Sequence, residues 1–304
     1  MKNVLVLGGN GFLGRHILKY LIKDLSYIIY APLNRVFFNL EDYKSILEYA
    51  KFTKFDYIFH CAVYFKPGNF SVDGENYIYN EIINNNVLRY FWEYQRQATL
   101  ITFGSDAAYN PSVERIESNY LSKHPSEDYY GYALSKRNLY QGLLQLEKQD
   151  NSIKFLHLPI ISLYGADYKR DDDHLIHSIL RKAVEAKYHS KMAEFWGDGN
   201  QIREIVYVDD LVKNIFSLLE KNVTGIYNLG SDIKSRTTIN YYINTIFNKI
   251  GTNDYCYNLD AKKGLFIKTL NNQKAMNVLG NGYKDTKFED TLDEIIDYSV
   301  KLYK

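Results

Sequence analysis

The chain has 304 residues, 46% hydrophobic and 24% charged, with 37 basic against 36 acidic side chains and a formal net charge of +1. A chain this apolar and this weakly charged buries a core, which excludes disorder, and without a basic surplus it is not expected to bind nucleic acid. Two cysteines, Cys61 and Cys256, exclude a disulfide framework or a four-thiolate zinc site, and both are expected to be buried and inert.

No apolar run approaches the ~20 residues that cross a bilayer, so no membrane association is expected. Gly8, Gly9 and Gly11 interrupt the apolar N-terminal stretch, which is not read as a secretory signal. A cytoplasmic setting is expected. The 29 tyrosines are the one unusual count, and they weaken any motif built on tyrosine alone.

Residues 3–7 form an apolar run, the pattern of a strand buried on both faces. A glycine-rich turn follows, and then Phe12, Leu13, Ile17, Leu18, Leu21 and Ile22 recur at helical spacing. The alternation continues with a strand at 26–30, a helix at 41–52, a strand at 55–60 and a helix at 76–95. It goes on with a strand at 99–103, a helix at 130–148 and a strand at 153–157. This order predicts an α/β fold, a Rossmann doubly wound parallel sheet with ligands at the carboxyl ends of its strands. Helices are expected at 174–186, 209–220, 237–250 and 292–303, with a strand at 225–229. The expected division is a dinucleotide-binding domain at 1–160, with 204–230 returning to it. A smaller C-terminal α/β region for substrate takes 161–203 and 231–304.

Gly8, Gly11 and Gly14 recur every third residue between a strand and a helix. Glycine permits the tight turn, the approach of backbone to a pyrophosphate and close helix–strand packing, while the helix N-terminus favours an anion. The turn, with Asn10, Phe12 and Leu13, is the expected cofactor cradle. After the second strand, Tyr30-Ala-Pro-Leu-Asn-Arg35 has no acid before Glu41 to bind adenosine ribose hydroxyls. Arg35 can pair with a 2′-phosphate and Asn34 can donate to it, which favours NADPH over NADH. The plainer alternative for Arg35 is a solvated loop cation.

Tyr132 and Lys136 lie four apart on one helical face, and the fourth strand runs into Gly104-Ser105. A free phenol titrates near ~10, and a nearby cation is expected to lower that value. Ser105 can donate to a carbonyl oxygen as charge develops on it. A second Tyr-x-x-x-Lys spacing, Tyr283 to Lys287, lacks this context.

Gly8-x-x-Gly-x-x-Gly14, Ser105 and Tyr132-x-x-x-Lys136, in this order, resemble the extended short-chain dehydrogenase/reductase superfamily. The resemblance implies a Rossmann domain with a small nucleotide-sugar domain, catalysis by Ser105, Tyr132 and Lys136, and Lys136 on the nicotinamide ribose. It also implies a homodimer through the helices beginning near Asn76 and Tyr130. Asn39-Leu40 resembles the adenine-side turn, and Ala62 is placed with the cofactor-binding set. The segment from Trp196 through Arg203 to Asp210 resembles the one that holds a substrate's nucleoside diphosphate. Asn80, Asn86, Asp173-His174 and Lys268 match the GDP-L-fucose synthase branch.

That branch carries Gly-Ser-Ser-Cys-x-Tyr after the fourth strand, its Cys and a His epimerising the sugar before reduction. Here Ala107 stands in place of the Cys and cannot remove a proton, while His174 remains. Asp106 resembles instead the Ser-Thr-Asp run of dTDP-4-dehydrorhamnose reductases, which reduce without epimerising. Ser162 replaces the family's Asn before Tyr-Gly. Asp106, Ala107, Ser162, His174, Trp196, Arg203 and Lys268 are thus the expected substrate side, with packing as the alternative for His174 and the core for Trp196. His174 and His177 find no third ligand of convincing spacing, so no metal is expected, and Asp171–Asp173 read as a solvated loop with a helix N-cap.

The expected activity is NADPH-dependent reduction of carbon 4 of a nucleotide-activated, GDP-linked 4-keto-6-deoxy sugar, hexose or heptose, without epimerisation. The alternatives are a bifunctional epimerase/reductase, a 4-epimerase or dehydratase that keeps its cofactor, and a non-catalytic dinucleotide sensor.

Overall fold

The computed structural model describes residues 1–33, 38–66, 70–170, 172–261 and 264–304. The chain forms two compact units, Met1–Ile160 with Leu218–Asn228, and Ile161–Ser217 with Leu229–Lys304. The segment that rejoins the first unit is therefore shorter than the expected 204–230, and residues 204–217 belong to the second unit.

The first unit runs β1 (Lys2–Leu7), α1 (Phe12–Leu21), β2 (Tyr27–Tyr30), α2 (Tyr43–Ala50), β3 (Tyr57–His60), α3 (Phe70–Tyr94), β4 (Thr99–Ser105), α4 (Tyr130–Gln149) and β5 (Lys154–Ile160). The second contributes β6 (Leu163–Tyr164), α5 (Leu175–His189), β7 (Ala193–Trp196), β8 (Ile202–Arg203) and β9 (Val206–Tyr207). Helix α6 (Val208–Glu220) follows, and β10 (Gly225–Ile226) joins the first unit's sheet. The chain ends with β11 (Thr237–Thr238), α7 (Ile239–Ile250), β12 (Tyr255–Asn258), β13 (Ile267–Lys268), α8 (Gln273–Leu279) and α9 (Phe288–Tyr303).

The six-stranded sheet has the order β10-β5-β4-β3-β1-β2, and its strands pair in parallel. Val4 to Leu7 and Ile58, Phe59, Leu100 and Ile101 are fully buried, because helices cover both faces of a parallel sheet. The strand order reverses at β1 and β3, so the crevice outside their carboxyl ends is the ligand position for this topology. Helix α3 starts six residues before the expected residue 76 and packs along α4. In the second unit α5, α7 and α9 pack together through Ile176, Leu180, Ile243, Phe247 and Ile295, beside three small sheets.

Candidate active site

At the β1–α1 turn, Gly8 has φ +82°, and a Cβ on it would lie 2.5 Å from the Ala62 amide nitrogen. A Cβ on Gly14 would lie 2.3 Å from the Gly8 carbonyl, which accepts the Gly11 N–H at 3.0 Å. A side chain at Gly8 would push this turn away from the end of β3, and one at Gly14 would push α1 away from the turn itself. Asn10 donates to the Leu33 carbonyl, and Arg15 donates to the Asn10 carbonyl at 2.6 Å. Gly11 is the N-cap of α1 and no side chain caps that helix, so its N-terminus, opening at Phe12 and Leu13, suits an anionic group. The residues present fit a dinucleotide. Asn34 and Arg35 lie outside the described residues.

Asn39 folds its own turn, its carboxamide oxygen accepting the Glu41 N–H and its N–H donating to the Ser45 hydroxyl. Asn86 of α3 donates to the carbonyls of Leu40 and Glu41 at 2.9 and 3.1 Å, so its place in the pattern has a structural reason. Asn80 and Asn76, fully buried one turn apart, do the same for the loop after Ala62. Each exchanges two hydrogen bonds with one backbone residue, Tyr64 for Asn80 and Lys66 for Asn76.

Ser105 ends β4, and its hydroxyl accepts the Ala107 N–H at 3.2 Å. The same hydroxyl is hydrogen-bonded to Tyr132. Lys136 is buried one turn along α4, its Nζ 5.5 Å from the Tyr132 ring centroid. Structure brings together the three residues named from sequence, but not with the expected electrostatics. Burial first, and then the Asp106 carboxylate, push the Tyr132 hydroxyl up to about 12, against the Ser105 hydrogen bond. Desolvation outweighs the neighbouring cation because phenolate is the charged form. Lys136 itself is pulled down to about 8, also by burial, and keeps its charge at neutral pH. Tyr132 is thus an acid holding its proton. Ala107 is buried beside this group and offers only a methyl.

Around Lys136 lie two groups of β3 and its end. His60, pulled down to about 4 by burial, is neutral and meets Asn84 Oδ1 through Nε2 at 3.0 Å. Burial pushes the half-buried Cys61 thiol up, which leaves it unreactive. Cys256 is not buried as expected but exposed, on the short β12–β7 sheet.

The substrate-side candidates of the second unit gather in part. Lys268 faces Arg203 across the β13–β8 pair, and its charge opposes protonation of His174. Trp196 is 69% exposed at the end of β7, which overturns its reading as core. The Ser162 carbonyl accepts the Val206 N–H at 3.0 Å. Asp172, which the sequence left in a solvated loop, accepts from Nδ1 of His174 at 2.7 Å and lies 3.0 Å from Nδ1 of His177. Burial alone would raise its carboxyl, yet these imidazoles hold it well below the usual carboxylate range. The same hydrogen bond raises His174. Ligand atoms of the three lie within 4.8 Å of one another, so the third ligand-type group missed from spacing is Asp172. Asp173 pairs with Arg181 at 2.6 Å, and Asp171 lies outside the described residues. The N-cap of α5 is His174 rather than an aspartate.

Sequence reasoning also missed Asp73. Its carboxylate, on α3, accepts the N–H groups of Gly131 and Tyr132 at 2.6 and 3.2 Å, capping α4 in place of a local side chain. No spacing rule reaches across 58 residues.

Among known proteins, the chain is 24% identical over 286 residues to GDP-L-colitose synthase of Yersinia pseudotuberculosis, covering 88% of this chain and 89% of that protein. Its fold matches a GDP-6-OMe-4-keto-L-xylo-heptose reductase from C. jejuni with a TM-score of 0.86 at 18% identity, covering 98% of this chain and 97% of that one. It also matches a GDP-L-fucose synthetase from Naegleria fowleri bound to NADP, with a TM-score of 0.84 at 19% identity over 99% of this chain and 95% of that one. Residues 4–230 match the model of the NAD dependent epimerase/dehydratase family. With the glycine cradle at the switch point of the sheet and Ser105, Tyr132 and Lys136 beyond it, the chain belongs to that family, whose members work on nucleotide sugars with a nicotinamide cofactor.

Proposed function

We propose that this protein reduces carbon 4 of a GDP-linked 4-keto-6-deoxy sugar, hexose or heptose, with NADPH and without epimerisation. One observation carries the reading: Tyr132 holds its proton beside Ser105 and Lys136, while alanine occupies the place from which a base would act. The names of the relatives support GDP-linked substrates, and the NADP in the Naegleria structure supports the phosphorylated cofactor.

Gly8, Asn10, Gly11, Phe12, Leu13, Gly14 and Ala62 would hold the dinucleotide, Asn39 and Leu40 its adenine side, and Asn34 and Arg35 its 2′-phosphate. Bound NADPH supplies the hydride that reduces the carbonyl carbon. Ser105 donates a hydrogen bond to the carbonyl oxygen, and Tyr132 gives its proton to that oxygen as the alkoxide forms. The Lys136 cation steadies the phenolate left behind until water reprotonates it, and it anchors the nicotinamide ribose. Arg203 and Lys268 bind the diphosphate, Trp196 the base, and Asp106, Ser162 and His174 the sugar. His174 retains an acid, but with Ala107 no base remains for carbons 3 and 5.

A homodimer through α3 and α4 accompanies this reading, since α3 exposes Ile78 and Ile82 one turn apart. Sedimentation at a monomer mass would contradict it.

Thermal denaturation with NADP and a panel of GDP, dTDP, UDP and CDP sugars tests the substrate class, because a ligand that binds only the folded chain raises Tm. A rise with GDP sugars is expected. A rise with another base alone would contradict the GDP assignment.

A further inference from the structure

Asp172, at the entry to α5, is tied to the imidazole that the proposed function sets against the substrate's sugar. One carboxylate oxygen of Asp172 accepts the His174 N–H at 2.9 Å and lies 2.7 Å from Nδ1 of the same residue. Nδ1 of His177 lies 3.0 Å from that oxygen. The side chains of Asp172 and His177 are 12% and 1% exposed, whereas that of His174 is 61% exposed. A buried carboxylate thus holds an open imidazole from behind.

The carboxylate is itself held. His177 stacks on Tyr168 with ring centroids 3.9 Å and planes 9° apart, and its Nε2 lies 3.2 Å from the Gly165 carbonyl. The Tyr168 hydroxyl lies 2.6 Å from the Ser299 hydroxyl of α9, and Tyr168, His177 and Ser299 are all buried. Asp173 pairs with Arg181 at 2.6 Å, so both acids before His174 are anchored to α5.

His174 is the N-cap of α5, a place that usually goes to Ser, Thr, Asp or Asn. Its carbonyl accepts the Ser178 N–H at 2.8 Å, but its ring makes no capping bond and is turned to Asp172 instead. Despite its burial, the Asp172 carboxyl is kept ionised by the two imidazoles. An ionised carboxylate only accepts, so Nδ1 of His174 carries a proton whether the ring is neutral or charged. Nε2, on the far side of the ring, is left to accept in the neutral form and to donate in the charged form. The bond to Asp172, opposed by burial and by Lys268, also raises His174 above an ordinary imidazole. Core packing asks for none of this, because water already satisfies an exposed imidazole. Fixing such a ring in advance lowers the ordering cost when a ligand binds.

We propose that Asp172, backed by His177, is a positioning residue for His174, holding the imidazole by Nδ1 and leaving Nε2 to meet the substrate's sugar. The inference rests on the proposed function for its kinetic arm only.

Nitrogen NMR of the imidazoles, with EDTA present so that no cation bridges the three groups, reads the bond without any substrate. Neutral His174 is expected as the Nδ1–H form, with a titration midpoint above the ordinary ~6.5. In Asp172→Ala the midpoint should fall and the Nε2–H form appear. Asp172→Asn keeps an accepting oxygen without the charge, so the midpoint should fall while the Nδ1–H form persists. An unchanged midpoint and form in Asp172→Ala would overturn the proposal. Should that variant not fold, an unchanged midpoint in Asp172→Asn would do the same.

The kinetic arm separates positioning from a merely structural role. Asp172→Ala and His174→Ala should each raise KM for a GDP-linked ketone about tenfold, with KM for NADPH unchanged. The double variant should match His174→Ala alone, because Asp172 acts only through that ring. A further tenfold rise in the double variant would show that Asp172 serves the fold of the loop, and would overturn the proposal. If the wild-type chain reduces no such ketone, the proposed function fails and the imidazole spectra alone decide this one.

Discussion

The amide of Tyr132 donates to the carboxylate of Asp73, 59 residues earlier in the chain, so α3 holds the first turn of the helix that carries Tyr132 and Lys136. The approach is close enough to require glycine beside it. A Cβ on Gly131 would lie 2.4 Å from the Asp73 carbonyl oxygen.

Asp73→Ala removes this cap. A lost cap costs about 0.5–2 kcal/mol, and urea denaturation should show a loss in that range. Turnover should fall as well, because Tyr132 is within the freed turn. Asp73→Asn retains an acceptor oxygen and should lose less on both counts. Equal stability of Asp73→Ala and wild type would contradict the assignment.

Tyr132→Phe should bind NADPH as wild type does while losing turnover by about 10²–10⁴-fold, the usual contribution of a positioned acid. Fluorescence titration of the cofactor beside the rate assay separates the two. Retained turnover would remove Tyr132 from the mechanism.

In the proposed mechanism Lys136 sets the pH dependence. Only its charged form serves, so kcat/KM for NADPH should be level below neutral pH and fall as pH rises through about 8. Its effect on stability has the opposite sense. Between about 8 and the ordinary 10.5 the unfolded chain holds the proton that the folded chain has released, so this group favours folding increasingly as pH rises. A profile level to pH 10 would contradict the buried position of the lysine.

In the second unit Glu204 is fully buried, accepts the N–H groups of Ser231 and Leu270, and pairs with Arg236 at 3.1 Å. Glu204→Ala takes the counter-charge from Arg236 and the acceptor from two amides, and should cost about 3–5 kcal/mol in denaturant titration. Glu204→Gln keeps one accepting oxygen and should cost less. A neutral Glu204→Ala would show that this pair does not hold the strands around Arg203.

The parts of this molecule legible in the sequence are those in which neighbours in sequence do the work. Gly8 to Gly14, the buried run of β1 and the Tyr132–Lys136 pair each declare themselves within a few residues. The start of α3 is not legible because its first residues lack apolar periodicity, and β8, β11 and β13, two residues each, are too short to show alternation. Asp73, Tyr120 and His157 were silent because their partners are chosen by the fold: Tyr120 meets His157 across 37 residues and Asp73 meets Gly131 across 58. The ionisation of Tyr132 was misjudged for the same reason, since burial is not written in a spacing. The unused spacing at Tyr283 also resolves, its hydroxyl donating to the Gly230 carbonyl at 2.6 Å in the second unit.

The most direct measurement is the reaction of the protein in D₂O with 4-deuterated NADPH and a GDP-4-keto-6-deoxy sugar, followed by NMR of the product. Oxidation of the cofactor, with the label at carbon 4 in the experiment with the labelled hydride and no solvent deuterium at carbons 3 or 5, is the predicted result. Solvent deuterium at either carbon, or no cofactor oxidation with hexose and heptose ketones alike, would contradict a reductase without an epimerising base.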